Sequence, residues 1–205
     1  MKAMWRELRT WLIAILLLIA AAALFALRLR HSGLSSRAHP GPLESLAARQ
    51  IHLWLVPVAA RKTINPLPAT SETLTQGRNH WADHCATCHA NNGSGDTGMG
   101  RNLYPAAPDM RSAATQSLSD GELYYFIRNG VPLTGMPAWG DPHLDNSDSQ
   151  TWALVSFIRH LPALTSEEIA AMEKLNPKSA VEREEEQAEE EFLSGKRTPE
   201  KRSKH

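Results

Sequence analysis

The chain contains only two cysteines, Cys85 and Cys88, and a histidine, His89, follows the second one directly. The spacing C-x-x-C-H places two thiols about one helical turn apart, so each can add to one vinyl group of a porphyrin. The adjacent imidazole is then positioned to bind the iron as an axial ligand. The motif therefore predicts one covalently bound haem c, attached through Cys85 and Cys88 and ligated by His89.

Three other chemistries use neighbouring cysteines, and each lacks something in this sequence. A structural zinc site needs four ligands in a closed set, and no second cysteine pair accompanies this cluster of His and Cys residues. A thioredoxin-like pair begins a helix after a strand, whereas helix signals precede this pair. A structural disulfide would leave His89 unexplained. Haem attachment is the interpretation that accounts for all three residues.

A second axial ligand is expected from elsewhere in the chain, and Met136 in the segment TGMPAWG is the predicted residue. A methionine opposite a histidine is an electron-transfer ligation that raises the reduction potential. Gly135 and Pro137 restrict this loop, whereas a methionine on a helix face commonly fills a core. Met99 and Met110 are the alternatives. With both axial positions filled by protein, no position is open to a substrate, so we predict an electron carrier rather than an enzyme.

Helical segments are predicted to hold these residues, and no segment alternates well enough to indicate a strand. Each of the three main helices has a start signal and a stop signal. The first runs into the cysteine motif, the second ends at Gly130, and the third ends before Pro162. Their predicted starts are Thr70 or Ser71, the capping box Ser119–Glu122, and the pair of Ser147 and Gln150. The fold class is therefore predicted to be all-α.

Composition divides the chain into four regions. Residues 1–30 contain the apolar run Trp11–Leu27, predicted to be an uncleaved transmembrane anchor, with a cleavable signal peptide as the alternative. Residues 31–69 are predicted to be a linker with a short amphipathic helix, packed on the domain or lying on the bilayer or a partner subunit. Residues 70–163 are predicted to form the haem domain, and residues 164–205 a charged tail, helical or disordered.

The formal net charge at pH 7 is zero, but the charges are segregated along the chain. Residues 70–163 contain five Arg, no Lys and nine Asp or Glu. An acidic domain argues against nucleic acid as a partner. We expect redox protein partners with a basic docking face instead.

Residues 70–163 resemble a class I monohaem c-type cytochrome, with the C-x-x-C-H motif near the N-terminal end and the segment GMPAWG later. The resemblance implies a small helical domain in which the first and last helices cross beside the haem. Gly77 and Trp81 match the small and aromatic positions of that crossing on the first helix. Trp152 or Phe157 matches the partner position on the last helix.

The resemblance also implies how the haem ligand is oriented and where the protein works. A backbone carbonyl of Pro105 or Pro108 is expected to orient His89. Because covalent haem attachment takes place outside the cytoplasm in bacteria, we expect a single-pass protein of the cytoplasmic membrane with its haem domain in the periplasm. It would pass single electrons in a respiratory chain. The alternative is a haem c subunit of a larger membrane oxidoreductase or dehydrogenase complex.

Overall fold

The computed structural model describes residues 2–33, 35–140, 148–178 and 180–194. Within these ranges all regular structure is helical and no strand is present, in agreement with the predicted all-α class. Short 3-10 turns cover Gly100–Asn102 and Leu161–Ala163, and a π-helical turn covers Trp81–Cys85. The α-helices in these ranges are α1 (Lys2–Ser32), α2 (Pro42–Leu55), α3 (Val58–Arg61), α4 (Ser71–His80), α5 (Ala86–His89), α6 (Ala113–Gln116), α7 (Asp120–Asn129), α8 (Ser149–His160), α9 (Ser166–Glu173) and α10 (Ala180–Leu193).

The N-terminal helix α1 contains one candidate membrane-spanning segment, Met4–His31, whose most apolar window of 18 residues has a mean hydropathy of 2.7. None of this window is buried, so no surface of the described part of the chain covers it. At 1.5 Å per residue, these 28 residues rise roughly 40 Å, and the uncharged run Trp11–Leu27 within them rises roughly 25 Å, close to the thickness of the hydrocarbon core. Its length and composition allow it to cross a membrane.

The core of the domain forms where α4 crosses α8. Thr70 begins α4 by accepting a hydrogen bond from the backbone of Thr73, as its predicted capping role requires. At the crossing, a Cβ on Gly77 would lie 2.1 Å from the carbonyl oxygen of Ala153. Only glycine allows the two backbones to approach so closely.

One turn further along the helix, the rings of Trp81 and Phe157 have centroids 5.8 Å apart. Phe157 is therefore the aromatic residue that meets α4. Trp152 instead stacks on Tyr124 of α7, with ring centroids 4.1 Å apart.

The predicted helix boundaries in this region are largely confirmed. The capping box of Ser119 and Glu122 is formed at the start of α7, and Gly130 ends that helix with a φ of 68°. Helix α8 is capped by Asp148, which accepts hydrogen bonds from the backbones of Gln150 and Thr151. Ser147, the predicted cap, lies outside the described residues.

Segments on both sides of the crossing helices pack against them. On the N-terminal side, the Asn65 amide donates to the Trp152 carbonyl at 3.0 Å and to the Ser156 hydroxyl at 2.9 Å. On the C-terminal side, the Met172 side chain of α9 has no exposed surface and belongs to the same core cluster as Trp81. By contrast, every described side chain of α10 is exposed. The packing around the cysteine motif thus extends past residue 163 but does not include α10.

Candidate functional site

The cysteine motif lies at the end of a helical segment with altered geometry. Helix α4 continues into the π-helical turn Trp81–Cys85 and then into α5. The wider turn is closed by a hydrogen bond from the Ala86 backbone to the Trp81 carbonyl. The sequence predicts the helix that enters the motif, but not this extra residue in the turn. Insertions of this kind are frequent at functional sites because they change the direction of the side chains that follow.

Both cysteines are partly buried. Burial, and to a smaller extent the neighbouring Cys88, raise the pKa of Cys85 to about 12. Burial also raises the pKa of Cys88. The two thiols are therefore protonated at neutral pH, whereas a thioredoxin-like pair depends on a lowered thiol pKa. This environment argues against the redox-pair interpretation of the motif.

The imidazole of His89 is held between Trp81 and the backbone near Pro108. The rings of Trp81 and His89 have centroids 5.7 Å apart. Burial lowers the pKa of His89, while the Pro108 backbone acts as an acceptor and opposes that shift. The Nδ1 atom of His89 is buried and has no hydrogen-bond partner among the described residues. Of the two prolines that the resemblance offers, Pro108 is therefore the one whose backbone acts on this ring.

A glycine-rich loop covers the carbonyl groups at the end of α5. Gly95 donates its backbone N–H to the His89 carbonyl at 2.9 Å, and the Thr97 hydroxyl donates to the Thr87 carbonyl at 2.8 Å. Gly95 has a φ of 73°, and a Cβ there would lie 2.3 Å from the Ala107 carbonyl oxygen. Sequence reasoning did not select Thr97. A hydroxyl residue within the glycine-rich loop that follows the motif is the signal that could have indicated it.

Asn176, which follows α9, reaches back to the motif from the C-terminal side. Its amide donates to the Ala82 carbonyl in the π-helical turn at 2.8 Å. Its side-chain oxygen accepts a hydrogen bond from Asn91 at 2.8 Å. Because Asn91 and Asn176 are far apart in the sequence, no local pattern could have indicated this contact.

The residue directly after the motif has an unusual backbone conformation. Ala90 has a φ of 63°, a region that L-residues other than glycine rarely adopt. Its carbonyl oxygen accepts a hydrogen bond from the indole Nε1 of Trp81 at 3.0 Å. The core tryptophan therefore fixes the chain where it leaves His89.

Met136 lies in the loop after α7, and its side chain is partly buried against the core. The Trp139 backbone donates to the Ile127 carbonyl at 3.0 Å, which returns the loop to the end of α7. The Trp139 ring meets the edge of His84, with centroids 5.5 Å apart. Since His84 precedes Cys85 directly, this contact brings the methionine loop to the cysteine motif.

The two alternative methionines have different environments. Met99 is 55% exposed, whereas Met110 is partly buried against the core, as Met136 is. Burial therefore separates Met99 from the other two residues. Met110 remains the alternative to Met136 as an axial ligand.

The histidines before the motif do not form a metal site. The rings of His80 and His84 have centroids 4.8 Å apart, and burial, with His84 nearby, lowers the pKa of His80. Over the described residues, no group of three or more His, Cys, Asp and Glu side chains is placed to hold a metal ion. The donor set that structural zinc requires is not assembled there.

Residues 72–158 match the family model described as cytochrome c oxidase, cbb3-type, subunit III. This part of the chain is a cytochrome c domain. The match begins in α4 and ends in α8, so it includes both cysteines, His89 and Met136. A cytochrome c domain implies binding of haem c and electron transfer through it. Together with the apolar helix α1, it fits a membrane-anchored monohaem c-type cytochrome. No curated protein matches the chain.

The residues in the cytochrome c domain fit the group that the family implies. The thiols of Cys85 and Cys88 are uncharged. A thioether bond to haem would replace each S–H group, so neither sulfur atom could then ionise. The lowered pKa of His89 favours the neutral imidazole, which is the form that binds a metal.

Proposed function

We propose that this chain is a single-haem electron carrier. Cys85 and Cys88 would hold one haem c through thioether bonds, with His89 and Met136 as the axial ligands. The observation that carries the proposal is the C-x-x-C-H motif at the end of the π-helical turn, inside a cytochrome c domain. The bound haem would supply the one-electron redox chemistry.

The protein would contribute attachment, orientation and exclusion of water. Cys85 at the end of the π-helical turn and Cys88 in α5 would hold the group, and the Pro108 backbone and Trp81 would orient the His89 ring. The loop containing Thr97 and the side chain of Asn176 hold the chain on either side of the motif. Residues that act on a metal ligand in this way commonly determine its orientation and basicity.

Met136 is the proposed sixth ligand because its loop is tied to the motif through Trp139 and His84. A methionine thioether favours reduced iron, and His/Met ligation therefore raises the potential. With both axial positions filled by protein, the chain would transfer electrons without binding a substrate at the iron.

The first test replaces both cysteines. The double variant Cys85→Ala and Cys88→Ala should contain no haem that survives denaturing extraction. Covalently retained haem in this variant would refute the attachment site.

The second test compares three single methionine variants in the attached protein. In Met136→Ala, carbon monoxide should bind readily to the reduced protein and the potential should fall. Met99→Ala and Met110→Ala should retain the sulfur-to-iron absorption band and the wild-type potential. If Met110→Ala abolishes the band and Met136→Ala does not, Met110 is the ligand.

The proposed location is the outer face of a bacterial cytoplasmic membrane, with α1 as a single-pass anchor and the N-terminus in the cytoplasm. The length and composition of α1 support this arrangement. Protease added to intact spheroplasts should digest the cytochrome c domain. Protection of that domain until the membrane is opened would reverse the orientation.

The proposed partners are redox proteins with a basic docking face. Several acidic side chains of the domain are already paired, for example Asp96 with Arg101 and Asp109 with Arg111. We therefore expect only moderate electrostatic steering, with an association rate that falls as salt is added.

A second candidate is a haem c subunit of a larger membrane oxidoreductase. The description of the matching family as an oxidase subunit favours it. Mild detergent extraction from native membranes discriminates the two functions. Co-purification with other subunits in fixed stoichiometry supports the subunit, and a chain recovered alone supports the free carrier.

A further inference from the structure

Helix α2 has an apolar face that no part of the described chain covers. None of its residues is buried. Apart from α1, no other segment of the described residues collects as many exposed large apolar side chains. Six residues between positions 43 and 58 are more than half exposed: Leu43, Leu46, Ile51, Trp54, Leu55 and Val58.

The polar side chains of α2 and the residues after it make the contacts with the rest of the protein. Arg49 donates to the Ala114 carbonyl at 3.0 Å, and Glu44 accepts a hydrogen bond from the Tyr104 hydroxyl. With 3.6 residues per turn, Leu43 and Trp54 lie on the side of the helix away from Arg49. Glu44 lies about 140° around the helix from Arg49 and about 20° from Ile51, so its contact with Tyr104 places part of the domain beside the first turn of the apolar side. In the later turns, where Ile51, Trp54 and Leu55 are more than half exposed, the apolar side points outward, unlike that of an ordinary surface helix.

The chain connection limits what can lie against this face. Residues 33–41 join α1 to α2 and can span at most about 30 Å when fully extended. If α1 crosses the membrane, α2 therefore begins within that distance of the bilayer surface. A tryptophan on an amphipathic helix is typical of the interface between headgroups and acyl chains. The exposed Arg37 and Lys62, before and after α2, suit anionic headgroups.

We propose that α2 lies in the membrane surface, with Ile51 and Trp54 inserted among the lipids. The cytochrome c domain, which is held to the other side of α2, would then be docked on the bilayer rather than suspended on a free tether. This inference rests on the anchor in the proposed function, because α1 brings α2 to the membrane.

The test measures how deeply a spin label on α2 lies in the bilayer. The full-length protein with attached haem is reconstituted into vesicles of phosphatidylcholine and phosphatidylglycerol. A nitroxide is attached to Ala47→Cys on the apolar face, and to Glu72→Cys at the exposed start of α4 as the control. Collision of each label with oxygen, which dissolves in lipid, is compared with collision with a water-soluble nickel complex.

The label at residue 47 should collide at least several-fold less with the nickel complex than the label at residue 72, and more with oxygen. Equal nickel collision at the two positions would overturn the proposal. Low collision with both reagents at residue 47 would also overturn it, because a protein surface excludes both.

Two charge variants sharpen this measurement. In the double variant Ile51→Glu and Trp54→Glu, nickel collision at residue 47 should rise to the level of residue 72. Ser45→Glu adds a carboxylate at an exposed position on the opposite side of the same helix, near Arg49, and should leave the label protected. Equal effects of the two changes would overturn the assignment of the face.

The proposed function is checked separately in the same samples. Flotation with the vesicles tests the α1 anchor. The wild-type chain should take up no label, because Cys85 and Cys88 are consumed by the haem. Label on the wild-type chain would contradict haem attachment without bearing on α2.

Discussion

Helices α8 and α2 are of similar length and both are amphipathic, yet their apolar residues have opposite environments. Seven of the twelve residues of α8 are buried, whereas none of the fourteen residues of α2 is. The apolar face of α8 meets α4 and α7, while α2 turns polar groups toward the domain. A period of 3.6 residues therefore predicts a helix, but it does not determine which surface covers the apolar face.

The two helices are also attached by different forces. Helix α8 is joined to α4 by a close backbone approach at Gly77 and by buried aromatic rings. The α2 region depends on surface hydrogen bonds and on the approach of Ala60 in α3 to Gly121 in α7. Buried apolar packing contributes more to stability than exposed polar contacts do. Disturbing the α8 contact should therefore have the larger effect.

The largest expected effect is that of Gly77→Ala. Its Cβ would lie 2.1 Å from a backbone oxygen of Ala153, so the helices must separate. We expect a loss of about 3 kcal/mol in the free energy of unfolding, the upper part of the range for overpacked cores. Denaturant titration of the detergent-solubilised protein, followed by tryptophan fluorescence, measures it.

Gly98→Ala is the matched control for this substitution. A Cβ on Gly98 meets no atom within 4 Å, so the change should stay within about 0.5 kcal/mol. If Gly77→Ala and Gly98→Ala had similar free energies of unfolding, the close packing of α8 on α4 would not be a stronger contact than the surface contacts of α2.

Gly121→Ala should release the α2 region without unfolding the cytochrome c domain. Its Cβ would lie 1.8 Å from the Ala60 carbonyl oxygen, but α3 is a surface turn that can move away. We expect a loss of about 1 kcal/mol, because the better helix propensity of alanine offsets part of the clash. Trypsin should cut after Arg61 or Lys62 faster than in the wild type. An unchanged cleavage pattern would mean that α3 is not held by this contact.

The sequence predicts the features that depend on residues close together in the chain, and it misses those that depend on residues far apart. The caps of α4, α7 and α9 are local patterns of three or four residues, and all three are formed. The positions of Cys85, Cys88 and His89 follow from spacing alone. Local rules therefore recover most helix boundaries and the motif.

Other features depend on residues that are distant in the sequence. The π-helical turn at Trp81 inserts one residue into a pattern that otherwise reads as a regular helix. The hydrogen bond of Asn176 to Ala82 crosses most of the domain. The resemblance left Pro105 and Pro108 undecided, and only the folded chain brings Pro108 to the histidine. These features were not predictable because no local signal encodes them.

Asn176→Ala tests whether the C-terminal contact holds the motif. The substitution leaves the buried Ala82 carbonyl without its side-chain donor, which should weaken the π-helical turn by about 1–2 kcal/mol. Hydrogen exchange should then become faster between residues 82 and 91. Asn129→Ala is the control, because Asn129 is exposed and its amide bonds to Tyr125 within its own helix. Equal exchange in the two variants would show that Asn176 does not stabilise the turn.

The smallest expected effect concerns Glu168, whose carboxylate caps α9 and accepts from the Thr165 backbone and from His160 at 2.9 Å. Burial would raise the pKa of Glu168, but these hydrogen bonds outweigh it and lower the pKa. A carboxyl whose folded pKa is below its unfolded value of about 4.3 stabilises the protein above that pH and loses this contribution as the pH falls through the folded pKa.

Glu168→Gln keeps a side chain that suits the capping box but removes the charge. The wild type should therefore be more stable than the variant by about 0.5 kcal/mol at pH 7, and the difference should vanish on acidification below pH of about 4. Denaturant titrations of both proteins across this range measure the difference, in which contributions from shared groups cancel. A difference that persists or grows in acid would mean that the charge of Glu168 does not help to hold α9 and its buried Met172 on the core.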